Sequence, residues 1–256
     1  MARRNYKHYI RRTHRYLGLC IGIQFIFWTV GGLYFSWTKI EEVRSEQVRA
    51  KQAPVPLPPD LLSGNLSPSN YLPSGANADL ASFHIVNILG EAHYFLPYTT
   101  EAGEEGSILV RFSDGEKRGP ISESEAREVA KAAMTETSAI GSVELIELGG
   151  VSKHHEYRGA PLPAYAVTFE GPESYTVYVS ANDHQVRAVR SNTWRIFDFL
   201  WMLHTMDFEG RDNFNNYLLR AFSIFGIVTI MSGFLLFFVS SKRLRWIANK
   251  LGRKRT

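Results

Sequence analysis

The sequence predicts an α+β fold: two transmembrane helices enclose an extracytoplasmic domain of antiparallel sheet with one packed helix, and an interfacial amphipathic helix precedes the second span. Three observations predict it. Two charge-free stretches, Tyr16–Thr38 and Ala221–Ser241, each reach the roughly 20 residues that a helix needs to cross about 30 Å of hydrocarbon. Basic residues crowd the terminal side of each stretch: Arg3, Arg4, Lys7, Arg11, Arg12 and Arg15 before the first, then Lys242, Arg243, Arg245, Lys250, Arg253, Lys254 and Arg255 after the second, with no acid among them. The chain between carries the other 16 basic residues against all 25 acidic ones, and its apolar residues alternate as in strands. An acidic middle with basic ends excludes a nucleic-acid-binding domain, which concentrates positive charge on its fold.

Residues 1–16 read as a basic cytoplasmic N-terminus and 17–38 as the first span. That span is too long for the apolar core of a signal peptide, and GGLYFSW offers no small-residue cleavage site, so it reads as an uncleaved anchor. By the positive-inside rule both termini are cytoplasmic and residues of about 39–217 lie outside, in the periplasm of a bacterial inner-membrane protein. Residues 39–79 follow as a stalk, TKIEEVRSEQVRAKQ, continuing the helix out of the bilayer, and a Pro- and Ser-rich linker over 53–79. The sole cysteine, Cys20, lies in the first span, so the outer domain has no disulfide or thiol redox motif.

Residues 80–192 form the outer domain. ASFHIVNILGEAHYFLPYTT and SILVRFSD read as strands, and residues 80–118 could be a degenerate copy of the unit that follows. In GPISESEAREVAKAAM, Ser122 or Ser124 can cap a helix whose apolar stripe is Ala126, Val129, Ala130 and Ala133. VELIELGG, PAYAVTFEG, SYTVYVSA and HQVRAVRS read as strands, the last two a hairpin around Asn182-Asp183. Residues 193–210 hold an aromatic helix with Trp194, Phe197, Trp201, His204 and Phe208 on one stripe and Arg195, Asp198 and Thr205 on another. Its 16 residues from Thr193 to Phe208 reach about 24 Å, too short to cross, so it is expected at the outer interface. Gly210 ends it, an asparagine or aspartate among residues 212–216 caps the second span over 217–240, and 241–256 is a basic cytoplasmic tail.

HRYLGL at His14–Leu19, SESEAREVAKAAM, TFEGPESYTVYVSANDHQVRAV and FLWMLHTM, in that order, resemble the parts of the PepSY-associated transmembrane family. The resemblance runs from about residue 8 to 240. It implies a PepSY domain outside the membrane and three possible roles: a binding or accessory subunit, a haem-binding redox subunit related to ferric-siderophore reductases in iron uptake or respiration, or a protease-regulating module. The reductases have four or so spans and more intramembrane histidines, whereas two spans are visible here.

The chemistry-bearing residues are few. Haem b, in the redox reading, would take His14 and His204, the two histidines beside the spans; the predicted topology sets them at opposite faces, so one haem cannot bridge them within a chain. Otherwise His14 belongs to the basic collar and His204 is an interfacial anchor. His154-His155 point to opposite faces of a strand and lack ligand spacing, so no metal is expected there, and His84, His93 and His184 are scattered on strands and turns. DFEGRDNFNN is rich in oxygen ligands but departs from the EF-hand spacing; capping and an ion pair of Arg211 with Asp212, or one using Arg220, account for it. Gly18 and Gly22 permit close helix approach, within the hairpin or in a homodimer. The leading expectation is therefore a non-enzymatic accessory subunit without cofactor, in contact with the bilayer and with a protein partner or second copy; a ferric-reductase-type oxidoreductase subunit is the alternative.

Overall fold

The computed structural model describes residues 5–51, 71–72, 78–80, 82–135 and 138–241. Most of the linker expected over 53–79, Arg3 and Arg4, and the basic tail after Ser241 lie outside them. The chain forms two compact units: one takes the residues up to Thr38 and from Phe197 onward, the other runs Lys39–Ile196.

In the first unit, α1 (Asn5–Trp37) and α5 (Tyr217–Ser240) are long, apolar helices, and His8–Trp37 and Tyr217–Phe238 are long and apolar enough to cross a membrane. They run antiparallel, with Phe25 over Gly226 and His14 over Gly233. A side chain at Gly233 would come within 3.3 Å of His14 Cε1, so the missing Cβ sets how closely the helices approach. Asn216 caps α5 through its side-chain oxygen, which accepts from Leu219 N.

Helix α4 (Asn192–Thr205) belongs to this unit from Phe197 onward and lies along α1 with opposite chain direction. Phe197 packs on Phe35, the Leu200 carbonyl sits beside Gly31, His204 packs on Trp28, and Gln24 donates to the Leu203 carbonyl. Those contacts follow α1 for eleven residues, about 16 Å. The polar stripe of α4 is turned inward: Asp198 is 4% exposed and Thr205 is fully buried, whereas Phe199 is 53% exposed. This reverses the amphipathicity of a helix resting on a soluble core and suits a face that meets lipid.

In the second unit, the segment after α1 does not continue that helix as a stalk. It folds into α2 (Ile40–Val43) and a 3-10 turn over Glu46–Val48. Burial of Val43 and Val48, and a bridge from Arg49 to Met134, hold the segment against the domain. The first sheet holds β1 (Ala78–Leu80), β2 (His84–Ile88), β3 (Glu91–Thr100), β4 (Glu105–Arg111) and β5 (Lys117–Arg118). The long β3 pairs β4 along one side and shares the other between β1 and β2. Helix α3 (Glu123–Ala132) starts at Ser122, which accepts from Glu125 N while the Glu125 side chain accepts from Ser122 N. Its buried stripe of Ala126, Val129 and Ala130 covers the second sheet, β6 (Ile140–Ile146), β7 (Ala164–Phe169), β8 (Thr176–Ser180) and β9 (Val186–Arg190), antiparallel in that order. One core joins Ile88 and Leu109 of the first sheet to Val129 of α3 and Val167, Phe169 and Val177 of the second.

Candidate functional site

In the first unit, His14 lies on α1, whereas His204 lies on α4 and packs against a different stretch of α1. His14 Nδ1 shares a 2.8 Å hydrogen bond with Ser232 Oγ, so it is a contact between α1 and α5 and not only a member of a basic collar. His204 lies among aromatic rings, with centroids 5.6 Å from Trp28, 5.8 Å from Phe35 and 6.4 Å from Trp201. Trp28, its neighbour, is fourteen residues along α1 from His14, about 21 Å. The two imidazoles therefore do not close on one group within the chain. Among the described residues, His204 Nδ1 and Trp28 Nε1 are both shut off from solvent without a hydrogen bond.

The loop from Met206 to Asn216 is tied by its own polar groups. Asp207 Oδ1 accepts from Glu209 N and Gly210 N, and Oδ2 accepts from Asn213 N. Desolvation alone would raise the Asp207 carboxyl, yet these amides outweigh it and hold the group below the ordinary aspartate value. Asp207 thus serves as the internal acceptor that organises this loop. Arg211 pairs with Asp198 of α4 rather than with the adjacent Asp212 that the sequence suggests; burial of Asp198 in an apolar helix demands a cation, and Asp212 instead accepts from Trp201 Nε1.

In the second unit, two polar clusters stand out that the sequence does not announce. Glu156, in the loop between β6 and β7, is a hub. Arg195 grips its carboxylate at 2.7 and 2.9 Å, Tyr178 OH donates at 2.7 Å, and Arg190 Nε donates to its carbonyl. Burial would raise this carboxyl, but the bonds from Arg195 and Tyr178 and the nearby arginines hold it below the ordinary glutamate value. Tyr178 stacks on Tyr157 at 4.5 Å, and burial pushes the Tyr157 phenol up to about 12. Arg190 lies 4.1 Å from the centre of the Trp194 ring, a cation–π contact.

The second cluster joins His93 of β3, Arg118 of β5, Glu125 of α3 and His184 of the β8–β9 turn. His93 has no exposed surface and His184 2%. His93 Nδ1 donates to the Glu91 carbonyl while Nε2 faces Arg118 Nη1 at 3.5 Å, a pattern that fits the neutral ring. His184 Nε2 donates to the Gly119 carbonyl, and Arg118 pairs with Glu125. Desolvation lowers both histidines, and the charge of Arg118 lowers each further. His84 stays exposed beside Ser82, and His155 Nδ1 accepts from Tyr157 N. Among the described residues, no group of three or more His, Cys, Asp or Glu could hold a metal ion.

Among the described residues, β6 pairs with β7 alone and so forms an edge of its sheet. Leu145 on it is 44% exposed, and Leu148 just beyond it 80%. These features define a membrane protein with two helices long and apolar enough to cross a bilayer and, between them in sequence, an α+β domain built from two antiparallel sheets. The chain belongs to the PepSY-associated TM family, whose model, described as the PepSY-associated TM region, matches residues 11–256. No curated protein and no solved structure matches it significantly.

Proposed function

We propose that the chain is a membrane-anchored binding or accessory subunit whose PepSY-type domain, held outside the cytoplasm, engages a protein partner through β6. The observation that carries this reading is the edge of β6 left open among the described residues, with Leu145 and Leu148 exposed beside it. An unpaired strand edge offers a row of backbone donors and acceptors to an extended segment, and exposed leucines supply pockets or anchors for its side chains. The basic flanks of the spans support a topology with both termini in the cytoplasm. A photocrosslinking residue at Leu148 should give a discrete protein adduct in native membranes, and Glu144→Pro, which disrupts β6, should remove it at unchanged expression. Absence of an adduct, or an adduct indifferent to Glu144→Pro, would overturn the reading.

A second reading is favoured by the buried, unbonded Nδ1 of His204: a redox subunit with haem ligated by that imidazole. The donor is suitable, but the about 21 Å along α1 to His14 means that the second axial ligand would come from another chain. A haem there would supply one-electron chemistry. This chain would contribute the His204 imidazole and an aromatic enclosure of Trp28, Phe35 and Trp201 that keeps water away. Protein purified after haem-replete expression should then show a Soret band that His204→Ala removes; colourless protein would exclude this reading.

A further inference from the structure

From the α1–α5 pair we infer a binding site for an anionic phospholipid, with its phosphate on Arg11 and Arg15 and an acyl chain in a groove on α5. The groove, about 510 Å³, is lined by Ile230, Gly233, Phe234, Phe237 and Phe238. Its edge at Gly233 touches His14, and the exposed rings of Phe234, Phe237 and Phe238 form its floor and walls. Such a surface on a membrane-crossing helix accepts a hydrocarbon chain.

Helical geometry places the arginines on the same flank. At about 100° per residue, Arg11 and Arg15 stand roughly 60° and 100° round α1 from His14, in the sense of advancing chain. Ile230, Phe234, Phe237 and Phe238 stand roughly 40° to 140° round α5 from Gly233 in the same sense. Because the helices are antiparallel and His14 meets Gly233, equal senses of rotation lead to one side of the pair. All three arginines are exposed, but Arg12 lies about 160° round from His14, on the other side, and turns over the Tyr16 ring. Two guanidinium groups four residues apart can together bind one phosphate, and their stems reach along the helix toward the bilayer surface. The charge next to the groove selects an anionic headgroup over a zwitterionic one.

Delipidated full-length protein in detergent, titrated with phosphatidylglycerol or phosphatidylcholine of identical chains, tests this by native mass spectrometry. Each arginine should favour the anionic lipid about fivefold, so the wild type should retain it roughly twenty-five-fold over the zwitterionic one. Arg11→Gln/Arg15→Gln should bring the two lipids to near parity, and Arg12→Gln should leave the preference intact. Phe237→Ala should weaken retention of both lipids alike. Equal retention by the wild type, or an equal loss from Arg12→Gln, would overturn the site. Displacement of the lipid by inorganic phosphate at matched concentration would overturn the assignment to a lipid.

Discussion

Glu156→Ala is expected to destabilise the second unit by about 3 kcal/mol, because it removes the acceptor shared by Arg195 and Tyr178 in a partly buried cluster. Arg195 would lose both bonds to the carboxylate, and Tyr178 OH would lose its acceptor. Arg190, already lowered by burial, would lose the nearby negative charge that favours its protonation. For a domain of this size the loss corresponds to a fall of about 10 °C in Tm. Denaturant unfolding of the full chain, followed by hydrogen exchange of β7 and β8 amides, measures it. Arg127→Ala breaks only the exposed pair with Glu123 and should cost about 0.5 kcal/mol or less. Equal costs for the two variants would show that Glu156 is not a hub.

Stability of the same unit should be flat above the ordinary histidine value of 6.5 and fall as acid is added below it. Burial lowers both His93 and His184, so the unfolded chain binds protons that the folded chain refuses, and acid favours unfolding. The charged groups around them sharpen the effect. Arg118 on β5 opposes protonation of both, and Arg111 on β4 opposes that of His93; Glu91 on β3 and Glu125 on α3 work the other way. His93→Gln/His184→Asn should remove this slope, asparagine being chosen because residue 184 holds a positive φ of 57°. A second fall below the ordinary glutamate value of 4.5 should persist, since Glu125 and Glu156 are held low and lose their stabilising charge only there. A wild-type profile flat down to that carboxylate range would contradict the histidine assignment.

The parts of the fold that were legible in the sequence are those written in local patterns. The two spans show as charge-free runs, and α3 shows its cap and its stripe within a dozen residues. The β8–β9 hairpin shows as alternation around Asn182-Asp183. The polar clusters were not legible, because their members come from elements that pattern alone cannot bring together. His93 and His184 looked scattered, yet β3 and the β8–β9 turn deliver both to Arg118-Gly119. Glu156 stood beside a histidine pair that drew attention to metal, while its partner Arg195 stood on the aromatic helix. Gln24, a lone amide in the first span, was the one local hint that α1 receives α4 along its length. The expected stalk failed for a similar reason: Val48 sits in a charged segment, and only the domain core shows what it packs against.

The inward polar stripe of α4 also bears on how the chain is made. Asp198 leaves the ribosome before Arg211, its partner, and an unpaired aspartate on an apolar helix at the interface carries a cost of insertion, at most the about 3 kcal/mol of the bilayer centre. Synthesis of the loop after α4 removes that penalty, and the loop ends at the asparagine that caps α5. The aromatic helix is thus a poor independent guest for the bilayer and a good one once its sequel has emerged. In the folded chain α4 and α5 both rest against α1, and the loop between them is tied to α4 through Arg211 and Asp198.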